Sequence, residues 1–222
     1  MLGAMPSLNA SEIVLPADDG PANQPPLDRR RQRSARGRDG VVAALLELYH
    51  EGDSQPGAAR IAARAGVSER SVFRYFDDLE SLAAAAIELQ STRVATAFAP
   101  PESGGSLEHR IRALVSQRLR IHDAAATVAR AGALLEPRSP VVARAFRFRR
   151  QVLRGQVESQ FAIELELAGD RGRTELLDAL DAVSSFEHLE YLRTVAGHSR
   201  TRTAALTIRT LLALLSRPHG VT

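Results

Sequence analysis

From residue 36 onward, apolar residues recur every three or four positions almost without interruption, and no stretch alternates with a period of two long enough to make a strand. A sheet needs that alternation to separate a core face from a solvent face, so the pattern predicts an all-α chain. The expected helices lie at about 36–51, 58–65, 68–76, 79–97, 107–122, 124–135, 140–165, 173–195 and 200–216. Gly52 and Gly66 are suited to end the first two, because a helix commonly closes on a residue with positive φ. Further breaks fall at 100–106, at Glu136-Pro137-Arg138-Ser139-Pro140, at Gly169-Asp170-Arg171-Gly172 and at Gly197-His198-Ser199. Ahead of the helices, residues 1–27 hold Pro6, Pro16, Pro21, Pro25 and Pro26 among small polar residues, and the segment 1–35 is expected to be a disordered arm, arginine-rich at its end.

Composition removes several classes of function. The chain has no Cys, which excludes a disulfide scaffold, a thiol nucleophile and any Cys-ligated metal site. No apolar run approaches the ~20 residues of a membrane span, and the start lacks a basic segment followed by an apolar one. A soluble, cytoplasmic protein is expected. The net charge of +3 is low, and its distribution is more informative than its total. All the basic residues are Arg. Residues 1–27 are acidic, 28–90 balance to zero and 91–222 are basic, while Arg29, Arg30, Arg31, Arg33, Arg36 and Arg38 crowd just before the first helical stretch.

The segment Ala59-Arg60-Ile61-Ala62-Ala63-Arg64-Ala65-Gly66-Val67-Ser68-Glu69-Arg70-Ser71-Val72-Phe73-Arg74-Tyr75-Phe76 carries the chemistry. Ile61, Ala62 and Ala65 give one short helix an inner face, Gly66 permits a sharp turn, and Ser68 is suited to cap the next helix. Val67, Val72, Phe73 and Phe76 are expected on the inner face of that second helix. Two short helices joined this way over about 57–76 form a helix-turn-helix, which presents the second helix to a duplex. Ser68, Glu69, Arg70, Ser71, Arg74 and Tyr75 then face DNA. Arg70 can pair with guanine O6 and N7, Glu69 can accept from a cytosine amine, and Ser71 and Tyr75 can donate to phosphate. Arg36 and Arg38 of the basic cluster are expected to follow the DNA backbone or enter a minor groove.

Over about residues 36–90 the chain resembles the DNA-binding domain of the TetR family of transcriptional regulators. The resemblance rests on Ile61-Ala62-Ala63-Arg64-Ala65-Gly66-Val67-Ser68, then Val72-Phe73-Arg74-Tyr75-Phe76 and Leu79-Glu80-Ser81-Leu82. It implies a three-helix DNA-binding head at 36–90, followed by a larger helical ligand-binding and dimerisation domain at 91–222. It further implies a homodimer joined through its last two helices, double-stranded operator DNA as partner, and a small-molecule effector. Two positions depart from the family pattern. Phe73 stands where a tyrosine would direct a hydroxyl at phosphate, and Leu79, preceded by Asp77 and Asp78, stands where a backbone-contacting lysine is usual.

Downstream the expectations are coarser. Phe98, Phe146, Phe161, Phe186 and Tyr191 are candidates to line an effector pocket. Leu180, Val183, Leu189, Leu192, Leu211, Leu212 and Leu215 are candidates for the subunit interface, because the apolar faces of the last two helices are wider than one core needs. Arg144, Arg147, Arg149, Arg150 and Arg154 read as a solvated helix face. His188 beside Glu187 and Glu190 reads as polar helix surface, and no metal or cofactor is expected. The sequence contains no phosphate loop, nucleotide fingerprint or nucleophile elbow. The favoured reading is a non-enzymatic, ligand-responsive repressor; an all-α enzyme and a helical interaction scaffold are the alternatives.

Overall fold

The computed structural model describes residues 26–216. Every regular element among these residues is a helix. In chain order they are α1 (Pro26–His50), α2 (Ala58–Ala65), α3 (Glu69–Tyr75), α4 (Leu79–Arg93), a 3-10 turn (Ala95–Phe98), α5 (Leu107–Leu135), α6 (Pro140–Gln160), α7 (Ala162–Leu167), α8 (Gly169–Ser184), α9 (Phe186–Glu190), a π-helical turn (Tyr191–Val195) and α10 (Arg200–Leu215). The chain divides into two compact units, Met1–Gly37 and Arg38–Thr222, and α1 has residues in both.

Several boundaries differ from the periodicity reading, and the larger differences have local reasons; the helix expected at 79–97 ends at Arg93. The first helix begins at Pro26 instead of residue 36, so the part of the expected disordered arm that is described is helical. Proline is tolerated in a first helical turn, and the Arg and Gln that follow are good helix formers. The expectation for residues 1–25 lies outside the described residues. The break expected after His122 does not occur: α5 runs unbroken through Asp123-Ala124-Ala125-Ala126, which contains neither Gly nor Pro. The helix expected at 140–165 is interrupted at Phe161, whose backbone leaves helical geometry at φ −120° and ψ 29°. The helix expected at 173–195 starts earlier, at Gly169, and is divided at Ser185, an extended residue whose Oγ accepts from the amide of His188 at 3.1 Å and opens α9.

Two apolar clusters hold the described residues of the second unit together. The first joins Val41, Leu45 and Tyr49 of α1, Ile61 of α2, Val72 and Phe76 beside α3, and Leu82 and Ala86 of α4. It continues into Val128 of α5 and Phe146 of α6, so the N-terminal helices share a core with the facing ends of α5 and α6. Burial pushes the Tyr49 hydroxyl up to about 12. The second cluster gathers Ile111 and Leu114 of α5, Val157 and Phe161 at the end of α6, Leu165, Leu180, Leu189 and Leu211. Fully buried leucines such as Leu82, Leu114 and Leu180 each contribute roughly 1.5–3 kcal/mol.

Buried polar groups tie the second cluster to its surroundings. Arg110 donates to Glu164 at 2.5 and 3.0 Å and to the carbonyl of Gln160 at 2.6 Å, which fixes α5 against α7. The hydrogen bonds from Arg110 hold the Glu164 carboxyl below its usual range. A second set restrains the segment between α4 and α5. Gln117 donates to the carbonyl of Ala99 at 2.7 Å, Gln156 to that of Phe98 at 2.7 Å, and Gln160 to that of Glu102 at 2.7 Å.

Candidate nucleic-acid interface

The turn between α2 and α3 is built from two complementary stops. Gly66 adopts φ 66° and ψ 32°, a left-handed geometry that costs a residue with Cβ and suits glycine. Its amide reaches back to Ala63 O at 3.3 Å while the Val67 amide reaches Ala62 O at 3.0 Å, the paired closure of a Schellman motif. Two residues on, Ser68 is extended and its Oγ accepts from the Ser71 amide at 3.2 Å, which starts α3. Helix α2 is held to the turn that follows α1 by Arg64, whose guanidinium forks onto Glu51 at 2.7 and 2.9 Å, and by Arg60 on Asp53 at 3.0 Å. These pairs are solvent-exposed and set the orientation of α2 more than they add stability.

Helix α3 has an inner and an outer side. Val72 and Phe76, four residues apart, are buried, whereas Glu69, Arg70 and Arg74 are exposed. Phe73, expected inside, is 49% exposed. The reason is angular: successive residues turn by about 100°, so the direction that buries Val72 and Phe76 carries Phe73 toward Arg70 and Arg74. The outer surface therefore offers a carboxylate, two guanidinium groups and an apolar ring.

The remaining predicted DNA-facing residues fall as follows. Ser68 and Ser71 lie 3.0 Å apart, oxygen to oxygen, so one hydroxyl hydrogen of the pair is used internally. Tyr75 is half-buried; its hydroxyl accepts from Arg74 at 3.1 Å, and the Arg74 guanidinium lies 4.9 Å from its ring centre. Arg38 stacks over the ring of Phe76 at 4.6 Å, which places a cation beside the inner end of α3. Arg36 is exposed on α1. Asp78 serves the local fold, accepting from the Ser81 amide at 2.7 Å in a capping box that starts α4, and that bond holds its carboxyl below the usual range.

The predicted ligand-lining aromatics do not converge. Phe98 and Phe146 line a narrow cleft of about 30 Å³ together with Ile87, Gln90, Val128 and Arg149. Phe161 is fully buried in the second core, Phe186 stacks on His122 at 5.1 Å, and Tyr191 is 57% exposed. Among the predicted interface residues, Leu180, Leu189, Leu211 and Leu215 are buried in the chain's own core, which leaves Val183, Leu192 and Leu212 half-buried.

Several polar features have no counterpart in the sequence reading. Arg149 departs from the solvated face expected for its cluster: it is half-buried over Phe146, while Arg150 pairs with Glu136 and Arg154 with Asp178. Glu190 is a hub instead of polar surface. It accepts from Arg130 Nε at 2.6 Å, His122 Nε2 at 2.8 Å and Thr194 Oγ1 at 2.9 Å. These partners lie about 60–70 residues away or on a π-helical turn, so no local sequence pattern announces them. Among the described residues, no three His, Asp or Glu side chains are placed to hold a metal ion, and no helix is long and apolar enough to cross a membrane.

No family model matches the sequence, and neither does any protein of curated function. Among solved structures, the chain is similar to a transcriptional regulator from Rhodococcus sp. Rha1, with a TM-score of 0.64 and 19% identity over 83% of this chain and 99% of that one. At that identity the likeness establishes a shared fold: an N-terminal helical cluster leading into a larger helical bundle.

Proposed function

We propose that the chain is a DNA-binding transcriptional regulator of the TetR type, which binds a palindromic operator as a homodimer and is released from it by a small-molecule effector. The observation that carries this reading is the outward array of Glu69, Arg70, Phe73 and Arg74 on a helix capped by Ser68, directly after the Gly66 turn that ends α2. It is supported by the fold shared with a transcriptional regulator.

The array has the chemistry of major-groove reading. Arg70 pairs bidentately with guanine, Glu69 accepts from a cytosine amine, and the exposed ring of Phe73 packs on a thymine methyl. Arg74 and the Tyr75 hydroxyl it touches donate to one phosphate and fix the register. The arginines of α1 add sequence-independent attraction. Two-fold symmetry in the protein requires two half-sites, with centres about one helical turn of DNA apart or a multiple of it.

Effector control follows if the effector binds more tightly to a dimer whose reading heads mismatch that spacing. Helix α4 is the connector, since Leu82 and Ala86 belong to the N-terminal core while Gln90 donates to the carbonyl of Ala124 on α5 at 2.8 Å.

The test is selection of duplexes from a random pool by the full chain, followed by affinity measurements in increasing salt. A palindromic consensus bound with a steep salt slope is expected, and R70A should lose about 1–3 kcal/mol at one base pair of each half-site. Failure to enrich any sequence overturns the proposal.

A further inference from the structure

The cleft between α4, the 3-10 turn, α5 and α6 contains a cation whose chemistry the fold does not complete. The guanidinium of Arg149 lies 4.3 Å from the ring centre of Phe146 and 5.7 Å from that of Phe186. It is half-buried, and among the described residues no carboxylate is in ion-pair range of it, although its neighbours Arg150 and Arg154 both have one. Burial pushes the guanidinium pKa below its usual value, and Glu187 and Glu136 offset this only from a distance. A cation withdrawn from water without a counterion is costly, and an anion delivered to it recovers the difference.

The other walls define what must accompany that anion. Ile87, Val128, Phe98 and Phe146 are apolar, the polar Gln90 and Ser91 spend their donors on the carbonyls of Ala124 and Ile87, and a single guanidinium neutralises a single charge. We propose that this cleft takes a monoanionic effector, a carboxylate on an apolar body, with Arg149 holding the carboxylate through its planar fork and the two phenylalanines flanking the body. The inference rests on the effector-responsive reading above and names the class of effector.

At about 30 Å³ the cleft holds roughly one water, so the ligand enters by displacing a wall. Phe98 is the less buried wall: its side chain is half-buried at the end of a 3-10 turn, whereas Phe146 is buried against Gly132 and Ile87. The carbonyl of Phe98 is the group that Gln156 holds, so occupation strains the segment that leaves α4.

The test uses the full chain with octanoate and 4-phenylbutyrate, each compared with its amide, by titration calorimetry. Each acid should bind at least tenfold more tightly than its amide. R149Q should abolish that difference, R149K, which keeps the charge but not the fork, should retain part of it, and R144Q, at an exposed arginine on the same helix, should leave it unchanged. The chain has no Trp, so F98W installs a single fluorophore in the cleft, and its emission should shift on addition of the acid. This arm stands even if R149Q does not fold. Equal binding of acid and amide, a preference that survives R149Q, or an unchanged F98W emission overturns the proposal. A chain that enriches an operator yet treats acid and amide alike overturns this site alone. One that binds the acids as described yet enriches no duplex supports the site and overturns the DNA-binding reading.

Discussion

The side-chain amide of Gln156 donates to the backbone carbonyl of Phe98 at 2.7 Å, bridging α6 to the segment that connects α4 with α5. Its oxygen is occupied as well, accepting from Gln117 at 2.8 Å and from the buried Arg118 at 3.0 Å. Arg118 also donates to Gln117 and to the Leu153 carbonyl at 2.8 Å, so one guanidinium orients two of the three amides that grip the connecting segment. Burial pushes the Arg118 guanidinium down to about 10, and with no carboxylate in ion-pair range among the described residues it depends on these neutral acceptors. Replacing Gln156 with Leu removes an acceptor and a donor at once. We expect Q156L to cost about 1–3 kcal/mol in urea unfolding and to speed amide exchange across residues 95–106. Unchanged exchange there would show that the amide does not restrain the segment.

Gly132 has no room for a larger residue. A Cβ at this position would lie 2.5 Å from Cζ of Phe146, whose ring is already buried, and 3.4 Å from Ile87 Cδ1. Gly155, in the middle of α6, would place its Cβ in open space. The two glycines should therefore respond oppositely to the same substitution. G155A should stabilise by up to about 1 kcal/mol through helix propensity. In G132A that gain is outweighed by overpacking of about 1–3 kcal/mol, so its melting temperature should fall.

What is legible from sequence follows the range of the interactions. Helices α2 and α3, the turn at Gly66 and the Ser68 cap are readable because each is determined by residues within one or two turns of chain. The burial of Leu180, Leu189, Leu211 and Leu215 in the chain's own core is not, since a wide apolar face does not specify what covers it. The exposure of Phe73 follows from helical geometry, yet hydropathy alone places both phenylalanines of so short a segment in the core. The Arg149 stack and the Glu190 hub join helices far apart in sequence, and periodicity within a single helix carries no information about such partners.

The outer surface of α3 and the α1 arginines should have separable effects on DNA. Phe73→Ala should weaken discrimination at a thymine-containing step while leaving the salt slope unchanged, because the ring carries no charge. R31Q/R33Q/R36Q should do the reverse, flattening the salt dependence and lowering affinity for all duplexes alike. Filter binding over a salt series on consensus and scrambled duplexes measures both. If the triple variant changes the preferred sequence, the arginines read bases and not the backbone alone.

Stability in acid should depend on Glu190. Burial alone would raise its carboxyl, but the hydrogen bonds from Arg130, Thr194 and His122 outweigh it and hold the pKa at about 2, against 4.5 for an ordinary glutamate. A carboxyl depressed in the folded state contributes stability that is fully present above the unfolded pKa and is lost as the pH falls through the folded one. The contribution should therefore be complete above pH 4.5 and decline toward pH 2, with a magnitude of roughly 1–3 kcal/mol. Glu164, Glu51 and Asp78 are also held below their usual values, so the wild-type curve alone does not isolate the hub. The comparison with E190Q does. The variant should be less stable near neutrality and converge on the wild type as the pH approaches 2. Parallel curves across the range would mean that the charge of Glu190 adds nothing beyond its hydrogen bonds.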